Sequence, residues 1–411
     1  MSADLLVTHI KAIIQVREST PHFIAGSDMA RLPVLENAWL AVSDSKISGL
    51  GPMTSLPGMA AGKTLDAAGG CLFPSFVDSH THLVYAASRE EEFVLKIKGA
   101  TYAEIAASGG GILNSAKKIQ AASEDELYER SLPRAHEIIR LGTCAVEIKS
   151  GYGLTVKDEL KMLRVARRIG RETPLTVKTT FLGAHAVPQG MKKEDYIRLV
   201  LDEMIPAVAQ EKLADYIDVF CEDGFFTPDE TETIAKRGIA FGMRPRIHAN
   251  QLHRSGGVQV GVKVGAISVD HLENIGEEEI NALRGTAVMP TALPGAAFFL
   301  NLPFPPARQM MEAGLPLAIA SDYNPGSAPS GNMSFILSLA CIKMKMTPEE
   351  AINAATINTA YALDLLDTHG SISIGKPANM FITKPIPSYT FLPYSFGSQL
   401  VDKVILNGKV I

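Results

Sequence analysis

The sequence predicts an α/β protein in which a (β/α)₈ TIM barrel carries a small β-sandwich domain built from both termini. Apolar runs alternate with amphipathic helical stretches in the middle of the chain, and short alternating strands flank this region on both sides. The length of 411 residues also exceeds the roughly 250 that a barrel alone uses. We therefore expect the β-sandwich in residues 1–68 and 366–411 and the barrel in residues 69–365.

The two ends of the chain have the pattern of small antiparallel strands. Residues 1–68 contain short runs such as LLVTHI, AWLAVSDSKISGLG and KTLDAAGG, separated by Gly, Pro and Asp. Residues 370–411 contain GSISIGKPANMFI and LVDKVILNGKVI, in which Asn407-Gly408 is a strong hairpin signal. Because neither end has enough strands to be stable alone, we expect the two ends to pair into one domain.

The middle of the chain contains eight strand-like runs separated by helical stretches. The runs are CLFPSFVDSH, TCAVEIKSGY, LTVKTTFLGAH, YIDVFCED, RPRIHAN, AISVDHLE, TAVMPTAL and PLAIASD. Two of the helical stretches are SEDELYERSLPRAHEIIRLG, which opens with a capping box formed by Ser123 and Glu126, and VKDELKMLRVARRIGRE. Alternation of strand and helix with short links predicts a parallel sheet, and eight repeats predict that it closes into a barrel.

Polar side chains cluster where the predicted strands end. They are Asp78, His80, His82, Tyr152, His185, Glu222, His248, Gln251, His271 and Asp322. Five of the ten histidines fall at these positions. Because the loops of a (β/α)₈ barrel converge at the carboxyl ends of its strands, this face is the predicted active site.

A metal site is predicted from the histidines of this face. His80 and His82 are two residues apart at a strand end, so their side chains project to the same face. Taken alone this pair could be incidental, but His248 and Asp322 end two later strands. Three imidazoles and a carboxylate suit one Zn²⁺ or Fe²⁺ and leave one coordination position for water. The sequence does not distinguish between the two metals.

Such an ion lowers the pKa of its bound water to roughly 7. A base near the ion can then take the remaining proton of this water and pass it to the leaving nitrogen. Asp322 is the first candidate base, and His271 is the second, placed to orient the water or to stabilise an oxyanion. The alternative for His271 is a core histidine bonded to a backbone carbonyl. Glu147 and Glu222 also lie near strand ends, where each either hydrogen-bonds a ligand histidine from behind or forms a barrel ion pair, and the ion pair is favoured.

Net charge, cysteine spacing and the N-terminal sequence limit the partners and the cellular location that we expect. The formal net charge is −5, from 39 basic and 44 acidic residues, whereas nucleic acid or an anionic membrane demands a basic footprint. The four cysteines are far apart and form no CxxC pair, which favours a reducing cytoplasm. The N-terminus has no basic region followed by a long apolar stretch, so no signal peptide or membrane span is expected.

Several of these motifs resemble the amidohydrolase superfamily. They are PSFVDSHTH, RIHANQ, VDHLE and ASDYNPG, and GSISIGKPANMFI extends the resemblance over essentially the whole chain. Binuclear members bridge two ions with a carbamylated lysine at the fourth strand end. The fourth strand here ends in FCEDG without a lysine, so the resemblance implies the mononuclear subtype.

Longer segments resemble one family within it, the imidazolonepropionases. These segments are DSHTHLVYAASREEEF, GATYAEIAASGGGI, EIKSGYGL, TFLGAHAVP and SDYNPGSAP. The resemblance implies hydrolysis of 4-imidazolone-5-propanoate to N-formimidoyl-L-glutamate by a homodimer. It implies that the ion is bound by His80, His82, His248 and Asp322. It further implies that the substrate pocket is lined by Arg89, Tyr152 and His185, and that the carboxylate end of substrate or product contacts Asn324, Gly326 and Ser327.

The residue types of the implied pocket fit a small carboxylated cyclic amide. Arg89 offers a planar fork for a carboxylate, although an ordinary salt bridge with residues 90–92 is the alternative. Tyr152 lies between two glycines and either donates its hydroxyl or packs on the barrel rim. His185 is either a pocket residue or a structural hydrogen-bonding group. The GGG run at residues 109–111 is either a lid or a turn.

Gln251 departs from the pattern of related mononuclear deaminases, which often have a glutamate three residues after the fifth-strand histidine. Glutamine cannot take a proton in this pH range, but it donates and accepts hydrogen bonds. Gln251 is therefore placed among both the catalytic and the substrate-binding residues, and proton transfer falls to Asp322 and His271. The alternatives are another cyclic amidohydrolase, a heterocycle deaminase, or a non-catalytic scaffold, which the complete ligand set disfavours.

Overall fold

A computed structural model describes residues 2–99 and 110–411 of the chain. Its strands in chain order are β1 (Ser2–Ile14), β2 (Val34–Ser43), β3 (Lys46–Pro52), β4 (Ala60–Asp66), β5 (Gly70–Pro74), β6 (Phe76–Asp78), β7 (Thr143–Lys149), β8 (Thr176–Ala184), β9 (Tyr216–Cys221), β10 (Arg244–Ala249), β11 (Ser268–His271), β12 (Met289–Ala292), β13 (Ala318–Ile319), β14 (Met380–Pro385), β15 (Val401–Leu406) and β16 (Lys409–Val410). Residue 109, where the predicted lid or turn begins, lies outside the described residues.

Helices occupy most of the connections between the strands. The α-helices that the structure describes are Glu90–Ile97, Ile112–Ala121, Glu124–Arg140, Val156–Glu172, Lys193–Leu199, Ile205–Gln210, Pro228–Ala240, Gly257–Lys263, Glu277–Leu283, Pro294–Leu300, Ala307–Glu312, Met333–Met344, Pro348–Ala355, Ile357–Ala362 and Phe391–Tyr394. The predicted capping box is confirmed, since Ser123 Oγ accepts from Glu126 N at 3.2 Å and Glu126 Oε2 accepts from Ser123 N at 2.8 Å. None of the helices in residues 2–99 and 110–411 is long and apolar enough to cross a bilayer.

The predicted (β/α)₈ barrel is confirmed. Strands β6 to β13 pair in sequence order, and every pairing between neighbours is parallel. The first and last strands meet through their carboxyl ends, where Asp322 N donates to His80 O and His82 N donates to Tyr323 O, both at 3.0 Å. The Asp78 carboxylate strengthens this seam by accepting from Ser321 N at 3.0 Å. The seam therefore holds the predicted metal ligands of both strands in register.

Strands from both ends of the chain form one additional sheet. Its order is β16-β15-β14-β5-β1-β2-β3, and β4 pairs with β1. The predicted Asn407-Gly408 hairpin is confirmed, since both residues have positive φ angles, 49° and 77°, between β15 and β16. The expectation of antiparallel strands in residues 1–68 is wrong for β4, which lies parallel to β1. Strand β5, which comes from the run CLFPSFVDSH, also lies parallel to β1. The sequence bounds of the two domains stay a prediction.

The apolar run CLFPSFVDSH is two strands rather than one. Its first part is β5, which belongs to the additional sheet, and its second part is β6, which begins the barrel. Phe73 and Phe76 both lie against Phe381, with ring centroids 5.1 and 5.0 Å apart, so the chain crosses between the two sheets inside a packed core. Every residue of both strands is buried, and alternation therefore gives no sign of the break.

Candidate active site

Four strand ends bring the predicted metal ligands together. Oδ1 of Asp322 lies 3.6 Å from Nε2 of His80 and 3.6 Å from Nε2 of His82. The imidazole of His248 lies 4.5 Å from that of His80, measured between ring centroids, and 5.2 Å from that of His271. Candidate ligand atoms of His80, His82 and Asp322 lie within 4.8 Å of one another, as do those of His80, His248 and His271.

The chemistry of this cluster fits a divalent cation. Nε2 of His80 and Nε2 of His248 are buried and have no hydrogen-bond partner among the described residues. A buried polar atom without a partner is costly, and a bound ion removes that cost. Burial first, and then Lys149 and the neighbouring histidines, hold the pKa of His80 and of His82 well below the ordinary value. Both imidazoles are therefore neutral, which is the form that binds metals.

Two buried aspartates hold the histidine rings from behind. Oδ2 of Asp270 lies 2.8 Å from Nδ1 of His80, and Oδ2 of Asp218 lies 2.9 Å from Nδ1 of His248. Carboxylates in this position fix the orientation and tautomer of a ligating imidazole. Burial alone would raise the pKa of Asp218, but His248 and Lys149 lower it well below its ordinary value. The sequence reasoning missed both aspartates, although an acid inside an apolar strand is a signal that it needs a partner.

Asp322 and His271, the two candidate bases, stand in strained backbone at strand ends. Their φ angles are 55° and 88°, in a region that residues other than glycine rarely adopt. Burial raises the pKa of Asp322 to about 6. Burial by itself would lower the pKa of His271, but the Glu273 carboxylate, 3.4 Å from its Nδ1, raises it above the ordinary value. The alternative prediction for His271 was a core histidine bonded to a backbone carbonyl. Its Nδ1 instead lies beside the carboxylate of Glu273.

A cavity of about 640 Å³ opens over the histidine cluster. The predicted site residues that line it are His82, Arg89, Tyr152, His185, His248, Gln251, His271, Asp322, Asn324, Gly326 and Ser327. His80 lies below this surface and is completely buried. The sequence reasoning missed further lining residues, namely Phe93, Lys96, Phe220, Phe225 and Phe299. The structure therefore brings all predicted site residues into one place, while their roles stay proposals.

Arg89 both forms a salt bridge with a neighbouring glutamate and lines the cavity, as the two interpretations of this residue predicted. Its Nε and Nη2 donate to Oε2 of Glu92 at 2.9 and 2.5 Å, which is a salt bridge within the predicted acidic run. Its guanidinium also lines the cavity and packs on Gly326, where a Cβ atom would lie 2.1 Å from Nη1. Glycine at position 326 thus allows the guanidinium to reach the cavity wall.

The loop after β7 holds Tyr152 and His185 in place. Glu159 accepts three backbone N–H groups of this loop, from Gly151 at 2.9 Å, Gly153 at 2.7 Å and Leu154 at 2.8 Å. The Gly151 carbonyl in turn lies 3.0 Å from Nδ1 of His185. Burial first, and then His248, lowers the pKa of His185 to about 3, so the ring is neutral at pH 7.

The turn after β13 is organised by the side chain of Asn324. Its Oδ1 accepts from Gly326 N at 2.7 Å and from Ser327 N at 2.8 Å. Ser327 Oγ donates to Oδ2 of Asp322 at 3.0 Å, so the turn is connected directly to a predicted metal ligand. This arrangement shapes one wall of the cavity.

The two glutamates left outside the predicted site are both buried and bonded. Oε1 of Glu147 lies 2.8 Å from Nζ of Lys149, which is the expected barrel ion pair. Glu222 accepts from Leu252 N at 2.8 Å, and its other oxygen lies 3.1 Å from Nδ1 of His253. Glu222 thus stabilises the loop after β10, which carries Gln251.

A closed (β/α)₈ barrel with histidines and an aspartate beside a cavity at the carboxyl ends of its strands defines the class of metal-dependent hydrolases. The profile of the amidohydrolase family matches residues 71–411. The chain is 55% identical over 408 residues to the imidazolonepropionase of Flavobacterium johnsoniae, and the match covers 99% of each chain. It is 40% identical over 414 residues to that of Geobacillus kaustophilus, covering 99% of this chain and 97% of the relative. The chain therefore belongs to the imidazolonepropionases of the amidohydrolase family.

Solved structures of more distant proteins share the fold. A triazine hydrolase variant aligns with a TM-score of 0.75 at 17% identity, covering 99% of this chain and 94% of that one. An adenosine deaminase from Xanthomonas campestris with bound zinc aligns with a TM-score of 0.69 at 18% identity, covering 100% of this chain and 93% of that one. At such identities the likeness supports the architecture and no more.

Proposed function

We propose that this chain hydrolyses the ring amide of 4-imidazolone-5-propanoate and releases N-formimidoyl-L-glutamate. The proposal rests on one observation: the same cavity of about 640 Å³ is lined by candidate metal ligands, including His82, His248 and Asp322, and by Arg89. A cyclic amide with a carboxylate tail needs both features, a hydrolytic centre and a cation. The names of relatives that are 55% and 40% identical over nearly the whole chain point to the same reaction.

His80, His82, His248 and Asp322 would hold one divalent ion, Zn²⁺ or Fe²⁺. Such an ion, when bound, lowers the pKa of a coordinated water and polarises a carbonyl. Asp270 and Asp218 keep the Nδ1 sides of His80 and His248 engaged, at 2.8 and 2.9 Å, and leave Nε2 of each ring for the ion.

Asp322 and His271 are the residues proposed to move the proton. Hydrolysis adds the hydroxyl of water to the ring carbonyl carbon and breaks the carbon–nitrogen bond, so one proton must reach the leaving nitrogen. Oδ1 of Asp322 lies against His80 and His82, while its Oδ2 accepts from Ser327 Oγ at 3.0 Å. His271 faces the same cavity and orients the attacking water. Gln251 positions the substrate ring through hydrogen bonds, because an amide cannot take the proton.

The remaining lining residues are proposed to hold the substrate. Arg89 pairs with the propanoate carboxylate, which suits a planar guanidinium. Tyr152 and His185 contact the ring, and Asn324, Gly326 and Ser327 contact the carboxylate end of substrate or product. The turn that Asn324 organises is rigid because its Oδ1 accepts two backbone N–H groups, at 2.7 and 2.8 Å.

We further propose a cytoplasmic homodimer that acts on this small molecule and binds neither nucleic acid nor membrane. A formal net charge of −5 supports the last point, because those partners require a basic surface. Sedimentation velocity of the purified chain tests the dimer, and a monomer at micromolar concentration would contradict it.

The reaction is tested by following the ultraviolet absorbance of 4-imidazolone-5-propanoate after addition of metal-quantified enzyme. We expect consumption that scales with about one bound metal per chain, with N-formimidoyl-L-glutamate as the product identified by mass spectrometry. His80→Ala protein is the matched negative control. Unchanged substrate in the presence of fully metallated enzyme would reject the substrate and leave the hydrolase class standing.

A further inference from the structure

The charge of Arg89 is already compensated inside the protein. Two of its nitrogens donate to Oε2 of Glu92, at 2.9 and 2.5 Å, and the other oxygen of Glu92 accepts from Gly111 N at 3.0 Å. The side chains of Arg89 and Glu92 are only 10% and 8% exposed, so bulk water screens this pair weakly. The pair presents hydrogen-bond donors to the cavity but almost no net positive charge.

Lys96 is a second cation of the same cavity, on the helix Glu90–Ile97. Its Nζ lies 3.5 Å from the carbonyl oxygen of Gly326, the residue on which the Arg89 guanidinium packs. The ammonium also lies 6.0 Å from the centroid of the Phe299 ring. Both cations therefore lie at the turn after β13, beside the same residue.

Lys96 has no ion-pair partner among the described residues. Within residues 2–99 and 110–411, its Nζ lies within 4.0 Å of no carboxylate oxygen. Burial first, and the charge of Arg89 second, lower the pKa of Lys96, and the Glu92 carboxylate offsets only part of this lowering. An anion bound beside Lys96 would offset both effects, because it adds a negative charge close to the ammonium.

From this geometry we propose that Lys96 binds the carboxylate of the substrate together with Arg89 and supplies the net charge that attracts it. The inference rests on the proposed function, since it assigns a residue to the carboxylate end of that substrate. Arg89 supplies direction through its fork, while Lys96 supplies a compact ammonium that forms no ion pair within residues 2–99 and 110–411. The site therefore recognises the propanoate group of the substrate as an anion. A substrate whose propanoate is converted to a neutral ester or amide should bind much more weakly.

The proposal is tested by binding, without turnover. The probes are 3-(imidazol-4-yl)propanoate and its methyl ester, titrated calorimetrically into the metal-loaded enzyme. Both carry the same ring, so their difference isolates the carboxylate. We expect Lys96→Gln to weaken binding of the acid about tenfold, the size of one charge-assisted hydrogen bond at a half-buried site. Binding of the ester should stay within about twofold, and Lys96→Arg should restore most of the affinity for the acid.

Lys98→Gln is the matched control, because Lys98 is exposed at the end of the same helix and does not line the cavity. A general effect of removing one positive charge would appear in both variants, whereas the proposal requires it only at Lys96. Equal binding of the acid by the wild type and Lys96→Gln overturns the proposal, as does wild-type binding of acid and ester with equal affinity. Substrate consumption is measured separately, so a wrong substrate and a wrong role for Lys96 give different results.

Discussion

The imidazole of His80 and the carboxylate of Asp270 form a completely buried pair, with 2.8 Å between Nδ1 and Oδ2. The same carboxylate oxygen accepts from Nη2 of Arg246 at 3.1 Å, so the aspartate is itself fixed. Since one nitrogen of His80 is engaged in this way, its other nitrogen, Nε2, is held beside Asp322 and available to an ion. The Asp270 carboxylate therefore connects the buried Arg246 guanidinium to the cluster of candidate metal ligands.

We expect Asp270→Asn to lower the metal affinity of the enzyme about 10- to 100-fold, because an amide no longer fixes the histidine as a carboxylate does. Metal affinity is measured by competition with a chelator of known affinity. Asp195→Asn serves as control, since Asp195 is a half-exposed surface residue paired with Arg198. Retention of wild-type affinity in folded Asp270→Asn protein would show that Asp270 does not position His80 for the ion.

His80→Ala is expected to abolish both metal binding and turnover, because it removes the residue shared by the two groups of candidate ligands that contain Asp322 and His248. Metal content by mass spectrometry and substrate consumption are the two readouts. His136→Ala is the matched control, since His136 is an exposed histidine on the helix Glu124–Arg140. Activity that persists in metal-free protein would contradict the whole mechanism.

The sequence predicted the parts of the site that depend on local order. Most barrel strands are short apolar runs with a polar residue at or just after the carboxyl end, and the carboxyl ends of parallel strands meet at one face. The positions of His80, His248 and Asp322 on a common face therefore follow from the pattern alone. The capping box at Ser123 and the hairpin at Asn407 are equally local, and the structure contains both.

The residues that the sequence did not predict depend on contacts between distant segments. Asp270 reaches His80 across 190 residues of sequence, and Lys149 reaches Asp218 across 69. Nothing in either local segment specifies the partner, because packing of the barrel interior decides it. The run CLFPSFVDSH was misread as one strand for a similar reason, since both sheets bury their part of it completely.

Glu159→Gln should weaken substrate binding without loss of metal. The carboxylate accepts three backbone N–H groups of the Tyr152 loop, and an amide accepts through one oxygen only. A buried donor left without an acceptor costs about 1–3 kcal/mol, enough to let the loop move. We expect KM to rise about tenfold while metal content and cooperative unfolding are kept.

The control for this loop is Glu172→Gln, at the other end of the same helix, where the side chain is 46% exposed and bonds Arg168. A rise in KM confined to Glu159→Gln supports a positioning role. Loss of metal in parallel with KM would instead point to general disruption of the barrel face and contradict this role.

Arg89→Ala is expected mainly to raise KM, because the guanidinium holds the substrate by its carboxylate and does not touch the reacting bond. Hydrogen bonds to charged groups contribute about 1.5–3 kcal/mol, which corresponds to a rise of roughly 10- to 100-fold. Arg89→Lys should recover only part of this, since an ammonium lacks the fork that also engages Glu92 through two nitrogens. Arg198→Ala, at a position whose side chain is 70% exposed, is the control. The measurement is steady-state kinetics on 4-imidazolone-5-propanoate. An unchanged KM in Arg89→Ala would show that Arg89 does not hold the substrate carboxylate.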